Sequence, residues 1–448
     1  MATTSDYAQL TKVGPGTPMG KLLRHYWIPA CASDEIAADG PPLRLMLLGE
    51  KLIAFRDSEG RVGIFDHRCP HRGASLFLGR NEECGLRCVY HGWKFDVDGN
   101  CLDMPNVKQR HSFAGKIKAI AYKALERNGL IWVYMGEAAE APPFPGLEPL
   151  LLPQARLKMR WAQRHCNWLQ AIEGDIDTSH FGFLHEGKAA PESYSADSVI
   201  RYRLDDRSPD YHCVETDWGT MYAAYRPATP GHLYYRVAHY LFPFWTMIPN
   251  AAFGTNLTAR AWIPMDDTHT MFLQCSWDTT LENLAKADRV PGLGLNFNYQ
   301  PKSTGWYGRW RIVPDESNDW MIDRDAQRDS TYTGIDGVHL QDQAVTESMG
   351  ECVDHNIEHL TIGDLMITRT RQRMLNAMRD LAERGIKPPG AENGDIFLGA
   401  HGGDFVAPEN VDWLETYANQ LRASANPTGA LRVPPEHDRV SRKQAASG

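Results

Sequence analysis

Between Leu43 and Val133 the chain alternates short apolar stretches with polar turns, among them RLMLLG, KLIAF, VGIF, WKFDVDGN and LIWVYMG, with Gly or Asp-Gly at the joints. That spacing predicts an all-β module of short antiparallel strands. The next stretch, GEAAEAPPFPG from Gly136 to Gly146, denies both helix and sheet and marks a boundary. Residues 165–186, HCNWLQAIEGDIDTSHFGFLHE, place Trp168, Ile172, Ile176 and Phe183 near helical spacing, while Gly174 and Gly182 predict a broken or short helix. From about Val199 to Trp277 the segments YRLDD, TMYAAYR, LYYRVAHYLF and TMFLQCSW predict one large antiparallel sheet. A Trp-rich irregular stretch follows, from Tyr299 to Tyr332. Helical patterning then dominates Leu340–Arg384, with Ile357, Leu360, Leu365, Met374 and Leu381 on an apolar stripe and Gly385 as the stop. The expected class is α+β, divided as an N-terminal segment 1–42, a β module 43–135, a Pro-rich linker 136–160, a sheet-and-helix domain 161–430 and a mobile tail 431–448.

A length of 448 residues suits two or three domains with substantial cores. The 47 basic and 56 acidic residues give a net charge of −9, so a polyanion such as nucleic acid or an anionic membrane is repelled on average. No apolar run approaches the roughly 18 residues of a membrane span, and MATTSDYAQL lacks the layout of a secretory signal. The expected location is therefore the cytoplasm. Nine cysteines make an odd and widely spread set, wrong for a disulfide framework. Four of them fall between Cys69 and Cys101, and that crowding points to a metal.

Two of the four are paired with histidines, in Cys69-Pro-His71-Arg-Gly and Cys88-Val-Tyr-His91-Gly-Trp, with 16 residues between His71 and Cys88. Two thiolates and two imidazoles suit a Rieske [2Fe–2S] centre, in which cysteines hold one iron and histidines the other. A tetrahedral zinc accepts the same donor set. The letters CPHRG and C-x-Y-H-G-W resemble the cluster loops of the Rieske non-haem iron oxygenases. His67, Cys84 and Cys101 lie nearby but outside that pattern, and packing or a hydrogen bond is expected of each.

Asp177-Thr-Ser-His180-Phe-Gly-Phe-Leu-His185 holds a second candidate set. Residues 177 and 180 share a helix face, whereas a step of five turns about 140° away from it. For both imidazoles to reach one ion the helix must deform, and Gly182 is the expected place. Two histidines and one carboxylate form the facial triad of non-haem iron(II) oxygenases, leaving positions open for dioxygen. The D-x-x-H-x-x-x-x-H run after a Rieske module is similar to the second signature of the same family. The third ligand is distant in sequence and the carboxylates alone do not single it out. QDQAVTESMG and EHLTIGDLMITRTRQRML resemble the C-terminal helices of phthalate dioxygenase-like oxygenases, which implies Asp342 as the ligand, with Glu347 and Asp354 in reserve. Asp177 would orient the His180 ring. The resemblance implies more: that it links His180 to His91 of a neighbouring subunit in a head-to-tail trimer.

Gly14-Pro-Gly-Thr-Pro-Met-Gly20 has the wrong spacing for a dinucleotide fingerprint, so electrons must come from a separate NAD(P)H-dependent reductase, with flavin or a ferredoxin. G-x-S-x-G is missing and hydrolysis is not expected. The resemblance spans nearly the whole chain, from PMGKLLRHYWIPA to the C-terminal helices. It implies an oxygenase α component with a [2Fe–2S] cluster and a mononuclear Fe(2+). Such a component uses O2 to hydroxylate an aromatic substrate, expected to be a carboxylate. Dihydroxylation and O- or N-demethylation use the same metal residues. The rival from another class is an electron-transfer or zinc-stabilised binding protein. A substrate carboxylate calls for an arginine fork. Arg203, Arg226 and Arg236 fall in the expected sheet, where a surface charge is the ordinary role of each.

Overall fold

The computed structural model describes residues 4–108, 113–254, 256–286 and 297–424. The expected tail 431–448 lies outside them. Strands β1 (Trp27–Ala32), β2 (Leu43–Leu47), β3 (Glu50–Arg56), β4 (Val62–Asp66), β9 (Ala121–Arg127) and β10 (Leu130–Tyr134) form an antiparallel sheet in the order β1-β10-β9-β4-β3-β2. Strand β1 comes from the segment expected to precede the module. Inserted between β4 and β9 is a small sheet of β5 (Arg80–Asn81), β6 (Leu86–Arg87), β7 (Lys94–Phe95) and β8 (Cys101–Asp103). One cysteine-histidine loop precedes β5 and the other joins β6 to β7, and Phe55, Phe65, Leu76 and Phe95 pack beneath them.

The second sheet holds β11 (Leu157–Arg164), β12 (Asp210–Thr216), β13 (Gly219–Pro227), β14 (His232–Leu241), β15 (Trp245–Met247), β16 (Thr258–Pro264), β17 (Thr270–Trp277) and β18 (Gly403–Pro408). Its order is β11-β17-β16-β15-β14-β13-β12, with β18 pairing β14. Trp132 of the first sheet and Trp168, Trp245 and Trp262 of the second region are fully buried in one continuous core. Burying side chains of that size supplies much of the driving force that joins the two regions. No described helix is long and apolar enough to cross a membrane.

Three expectations need correction. YRLDD is the end of a helix, Val199–Asp205, not a strand. Arg203 on it is held against Glu186, and this buried ion pair outweighs local β propensity. The long C-terminal helix is two, Val338–Ser348 and Leu365–Arg384, the second ending at Gly385 in the left-handed region (φ 66°) as expected. Ile357 and Leu360 lie between them and are exposed, so the inward stripe keeps the expected Met374 and runs through Met366, Leu375 and Met378 beside it.

Candidate functional site

The two cysteine-histidine loops are copies of one turn. Cys69 N–H donates to Ala74 O (2.8 Å) and Gly73 N–H returns to Cys69 O (2.9 Å); Cys88 N–H donates to Trp93 O (2.8 Å) and Gly92 N–H to Cys88 O (2.9 Å). The glycine four residues after each cysteine has φ near +75° (74° and 77°), which is why a glycine closes both Cys69-Pro-His71-Arg-Gly73 and Cys88-Val-Tyr-His91-Gly92. The turns place the His71 and His91 rings 4.4 Å apart, with Trp93 stacked on His71 at 4.4 Å and Tyr90 against His91 at 3.8 Å. Burial, with the Cys88 thiol beside it, pushes the Cys69 thiol up to about 11, a penalty that a bound cation reverses.

Two observations test which metal fits. His71 Nδ1 is buried with no hydrogen-bond partner, a donor atom waiting for a ligand. The donors of a tetrahedral zinc lie roughly 3–4 Å from one another. Among the described residues the donor sets that meet within 4.8 Å are His180, His185, Asp342 and Asp57, Glu59, Cys84; no three of Cys69, His71, Cys88 and His91 do so. Donors spread this way suit two irons rather than one ion. Cys84 with Asp57 and Glu59 is no rival, because Asp57 is taken by Arg61 at 2.8 Å and by two backbone N–H groups. Cys101 hydrogen-bonds Asp103 O, and His67 packs edge-on to Trp306.

The second set converges as the sequence suggests, by a different deformation. The helix Trp168–Ile176 ends at Asp177, whose backbone is extended (φ −70°, ψ 132°) and whose Oδ1 accepts from Ser179 N–H (2.7 Å). The break thus falls before the histidines rather than at Gly182. Phe181–His185 then forms a π-helical turn, with Glu186 N–H donating to Phe181 O (3.1 Å). A wider turn brings residues five apart onto one side, which an α-helix does not. His180 Nε2 lies 3.2 Å from His185 Nε2, and Asp342 Oδ1 is 3.6 and 3.1 Å from them.

Each imidazole is held from behind. His180 Nδ1 meets Asp177 Oδ2 at 3.3 Å, and His185 Nδ1 meets Gln341 Oε1 at 2.6 Å. Donation from Nδ1 leaves both Nε2 lone pairs facing the point where Asp342 arrives, the tautomer that metal ligation needs. Burial opposes the Asp342 charge, yet His185, His180 and Arg164 hold its carboxyl well below the usual range. Glu347 is engaged by Trp320, Gln343 and the His165 backbone, and Asp354 caps an exposed turn, so neither reserve joins the set. Gln341 gave no sign in the sequence beyond standing next to Asp342.

The triad opens on a cavity of about 550 Å³ with Ile248, Leu281, Leu284, Phe297 and Val338 among its apolar walls. All three candidate arginines are buried, against the expectation of surface charges. Arg203 lines the cavity but is committed to Glu186 (2.5 Å), and Arg260 to Asp175 (2.5 Å). Arg226 stands behind the wall, its guanidinium brought down to about 10 by burial and the charge of Arg236. Arg236 lines the cavity with its guanidinium 4.4 Å over the Phe181 ring. Its contact to Pro249 O is 3.5 Å, its Nε is buried without a partner, and it has no carboxylate in ion-pair range among the described residues. His339, one turn before Asp342, also lines the cavity, and burial with nearby Arg164 keeps its ring neutral.

Comparison with known proteins agrees with this geometry. Residues 26–120 match the Rieske [2Fe-2S] domain family and residues 133–429 match the LigXa C-terminal domain-like family. The 3-chlorobenzoate-3,4-dioxygenase oxygenase subunit of Comamonas testosteroni is 47% identical over 431 residues, covering 94% of this chain and 99% of that one. The phthalate 4,5-dioxygenase oxygenase subunit of Pseudomonas putida is 34% identical over 396 residues, covering 84% and 86%. In fold, the crystal structure of dicamba monooxygenase bound to dicamba aligns with a TM-score of 0.55 at 17% identity, over 81% of this chain and 99% of that chain. The cofactors are a [2Fe–2S] cluster and a mononuclear iron, which removes the zinc-module reading, and a separate reductase supplies the electrons. The chain belongs to the phthalate dioxygenase-like Rieske non-haem iron oxygenases, as an oxygenase subunit.

Proposed function

We propose that this subunit oxygenates an aromatic carboxylate whose anionic group docks on Arg236, beside an iron held by His180, His185 and Asp342. Cys69, His71, Cys88 and His91 hold the cluster in this reading. The observation that carries the substrate class is Arg236 itself, a cation inside the cavity that has no carboxylate in ion-pair range among the described residues, with a second buried cation, Arg226, behind it. Two like charges out of water are costly unless an anion joins them. The relatives named for 3-chlorobenzoate and phthalate point the same way.

When bound, the two metal groups supply stored electrons and open coordination positions for dioxygen. The chain supplies the rest. Asp177 and Gln341 fix the two imidazoles, and the apolar walls exclude water from the ring. Arg236 sets which edge of the ring faces the triad. cis-Dihydroxylation, one arene with O2, two electrons and two protons giving a diol, is the outcome favoured here. Demethylation of an aryl ether or amine would use the same residues.

The reading extends to a head-to-tail trimer in which Asp177, its side chain 20% exposed, meets His91 of a neighbouring copy. Val89 and Tyr90 beside His91 are 55% and 54% exposed, as a surface awaiting a subunit would be. None of the nine cysteines is in a disulfide, which suits a reducing cytoplasm, where a reductase and NAD(P)H are at hand. The test is substrate-dependent uptake of ¹⁸O2 by the reconstituted system with benzoates and their amides. Carboxylate-selective uptake with two labelled oxygens in the product is expected. Formaldehyde release would move the assignment to demethylation, and equal turnover of amides would overturn the anion-binding reading.

A further inference from the structure

Arg260 faces the cavity from β16, in register with Gln274 of β17, which lines the same wall. Gln274 Oε1 accepts from Arg260 Nε (3.1 Å) and Asp175 Oδ1 accepts from Arg260 Nη1 (2.5 Å). An arginine nitrogen can only donate, so the first contact fixes which end of the Gln274 amide meets it. Asp175 is held in turn, its Oδ2 accepting from Thr246 Oγ1 (2.5 Å) and Trp262 Nε1 (3.1 Å). The guanidinium is locked in one plane by these partners, and its Nη2 makes no hydrogen bond among the described residues. The side chain keeps 15% of its surface exposed, toward the cavity that it lines. Arg203 differs: Nε and Nη2 meet Glu186 and Nη1 meets the Tyr234 hydroxyl (3.3 Å), so each of its nitrogens is engaged.

Arg260 and Arg236 stand at different ends of the cavity. The ladder steps from Arg260 to Thr246 on β15 and from Thr246 to Tyr240 on β14, four residues beyond Arg236. Two strands across and four residues along put the two Cα atoms about 16 Å apart, a span that one substituted ring and two arginine side chains can fill. Arg236 lies close enough to His180 for their charges to interact, and Arg260 close enough to His339, one turn before Asp342, so the triad lies between the two guanidiniums. A ring anchored by its carboxylate on Arg236 thus turns its far edge toward Arg260. What waits there is a fixed donor whose charge Asp175 already balances. A second anion would have to compete with that carboxylate, whereas a neutral acceptor needs only the spare N–H. We infer that Arg260 is a specificity-determining residue that donates from Nη2 to a neutral acceptor on the substrate ring, so that the preferred substrates are aromatic carboxylates with a carbonyl, nitro or ether oxygen meta or para to the acid group. The inference rests on the anion-binding reading of Arg236 and adds a second point of recognition to it.

The test is calorimetric titration of the anaerobic holoenzyme with benzoate, benzamide, the meta and para acetylbenzoates, and the matching isopropenylbenzoates, which keep the shape and lose the acceptor. Isophthalate and terephthalate serve as the second-anion probes. At least one acetylbenzoate is expected to bind about tenfold tighter than its isopropenyl counterpart, the scale of one hydrogen bond to a charged donor. In Arg260→Met combined with Asp175→Asn, which removes the pair without stranding a buried charge, that ratio should fall to about one while benzoate affinity holds. Gln274→Glu keeps the shape of the wall but supplies a carboxylate that claims Nε and Nη2 together, and it should lower the ratio as well. An Arg260 with a merely structural role would move all ligands together and leave the ratio alone. Equal binding of each acetyl acid and its isopropenyl counterpart in the wild type overturns the inference, as does a ratio that survives in the variants or a diacid that binds tighter than both acetylbenzoates. Failure of the Arg236 reading shows separately, as benzoate binding no better than benzamide.

Discussion

Arg236→Met exchanges a buried cation for an apolar side chain of similar length, and the structure gives two effects of opposite sign. With ligand present, the variant loses the charge-assisted fork to the carboxylate. Hydrogen bonds to charged groups are worth about 1.5–3 kcal/mol each, so two of them, partly offset by desolvation, come to about 3 kcal/mol, or roughly 150-fold in Kd. Without ligand, the variant loses a cation whose Nε lacks a partner and whose charge faces Arg226. Relief of one unsatisfied buried group is worth about 1–3 kcal/mol, so the substrate-free protein should become more stable. Calorimetry with a benzoate and its amide measures the first effect, and urea unfolding without ligand measures the second. The wild-type preference for the acid should collapse in the variant as its unfolding midpoint rises. A variant that loses acid and amide equally, or that keeps the preference, would refute the reasoning.

Gln341→Leu removes the acceptor behind His185 and should weaken mononuclear iron binding about 10- to 100-fold without altering cluster content, read by competitive chelation. Asp177→Asn should keep both metal contents and nearly abolish product formation; normal turnover would remove its linking role. Arg371 is buried between Glu173 (2.6 Å) and Glu358 (2.7 Å), so Arg371→Met strands two carboxylates and should cost about 3–5 kcal/mol in denaturant unfolding.

Chemistry was more legible in the sequence than conformation. A glycine four residues after the cysteine carries its own geometry, because in the left-handed region it closes the turn that aims cysteine and histidine together, and both cluster loops could be read from five or six letters. The step from His180 to His185 announced that a helix must deform. It did not say how, since a π-helical turn depends on Asp177 ending the helix first and on the partners waiting in the Val338–Ser348 helix. Asp342 and Gln341 lie about 160 residues away, and no periodicity measures that approach. Arg203 shows the same limit from the other side. YRLDD looks like a strand until Glu186 is placed beneath it, and only burial distinguishes Arg236 from a surface charge. Ile357 and Leu360 look like core and are exposed, because the helix they would continue does not begin until Leu365.

Oxygenation in this reading needs two separate iron centres in one chain, held by the residues named above. Iron and acid-labile sulfide analysis of the wild-type protein and of Asp342→Ala, with low-temperature paramagnetic resonance of the reduced samples, tests it most directly. About three irons and two sulfides per chain are expected for the wild type by ligand counting. The variant should hold about two irons and two sulfides, with the cluster signal unchanged. Zinc in place of iron and sulfide, or a variant that keeps its third iron, would contradict it.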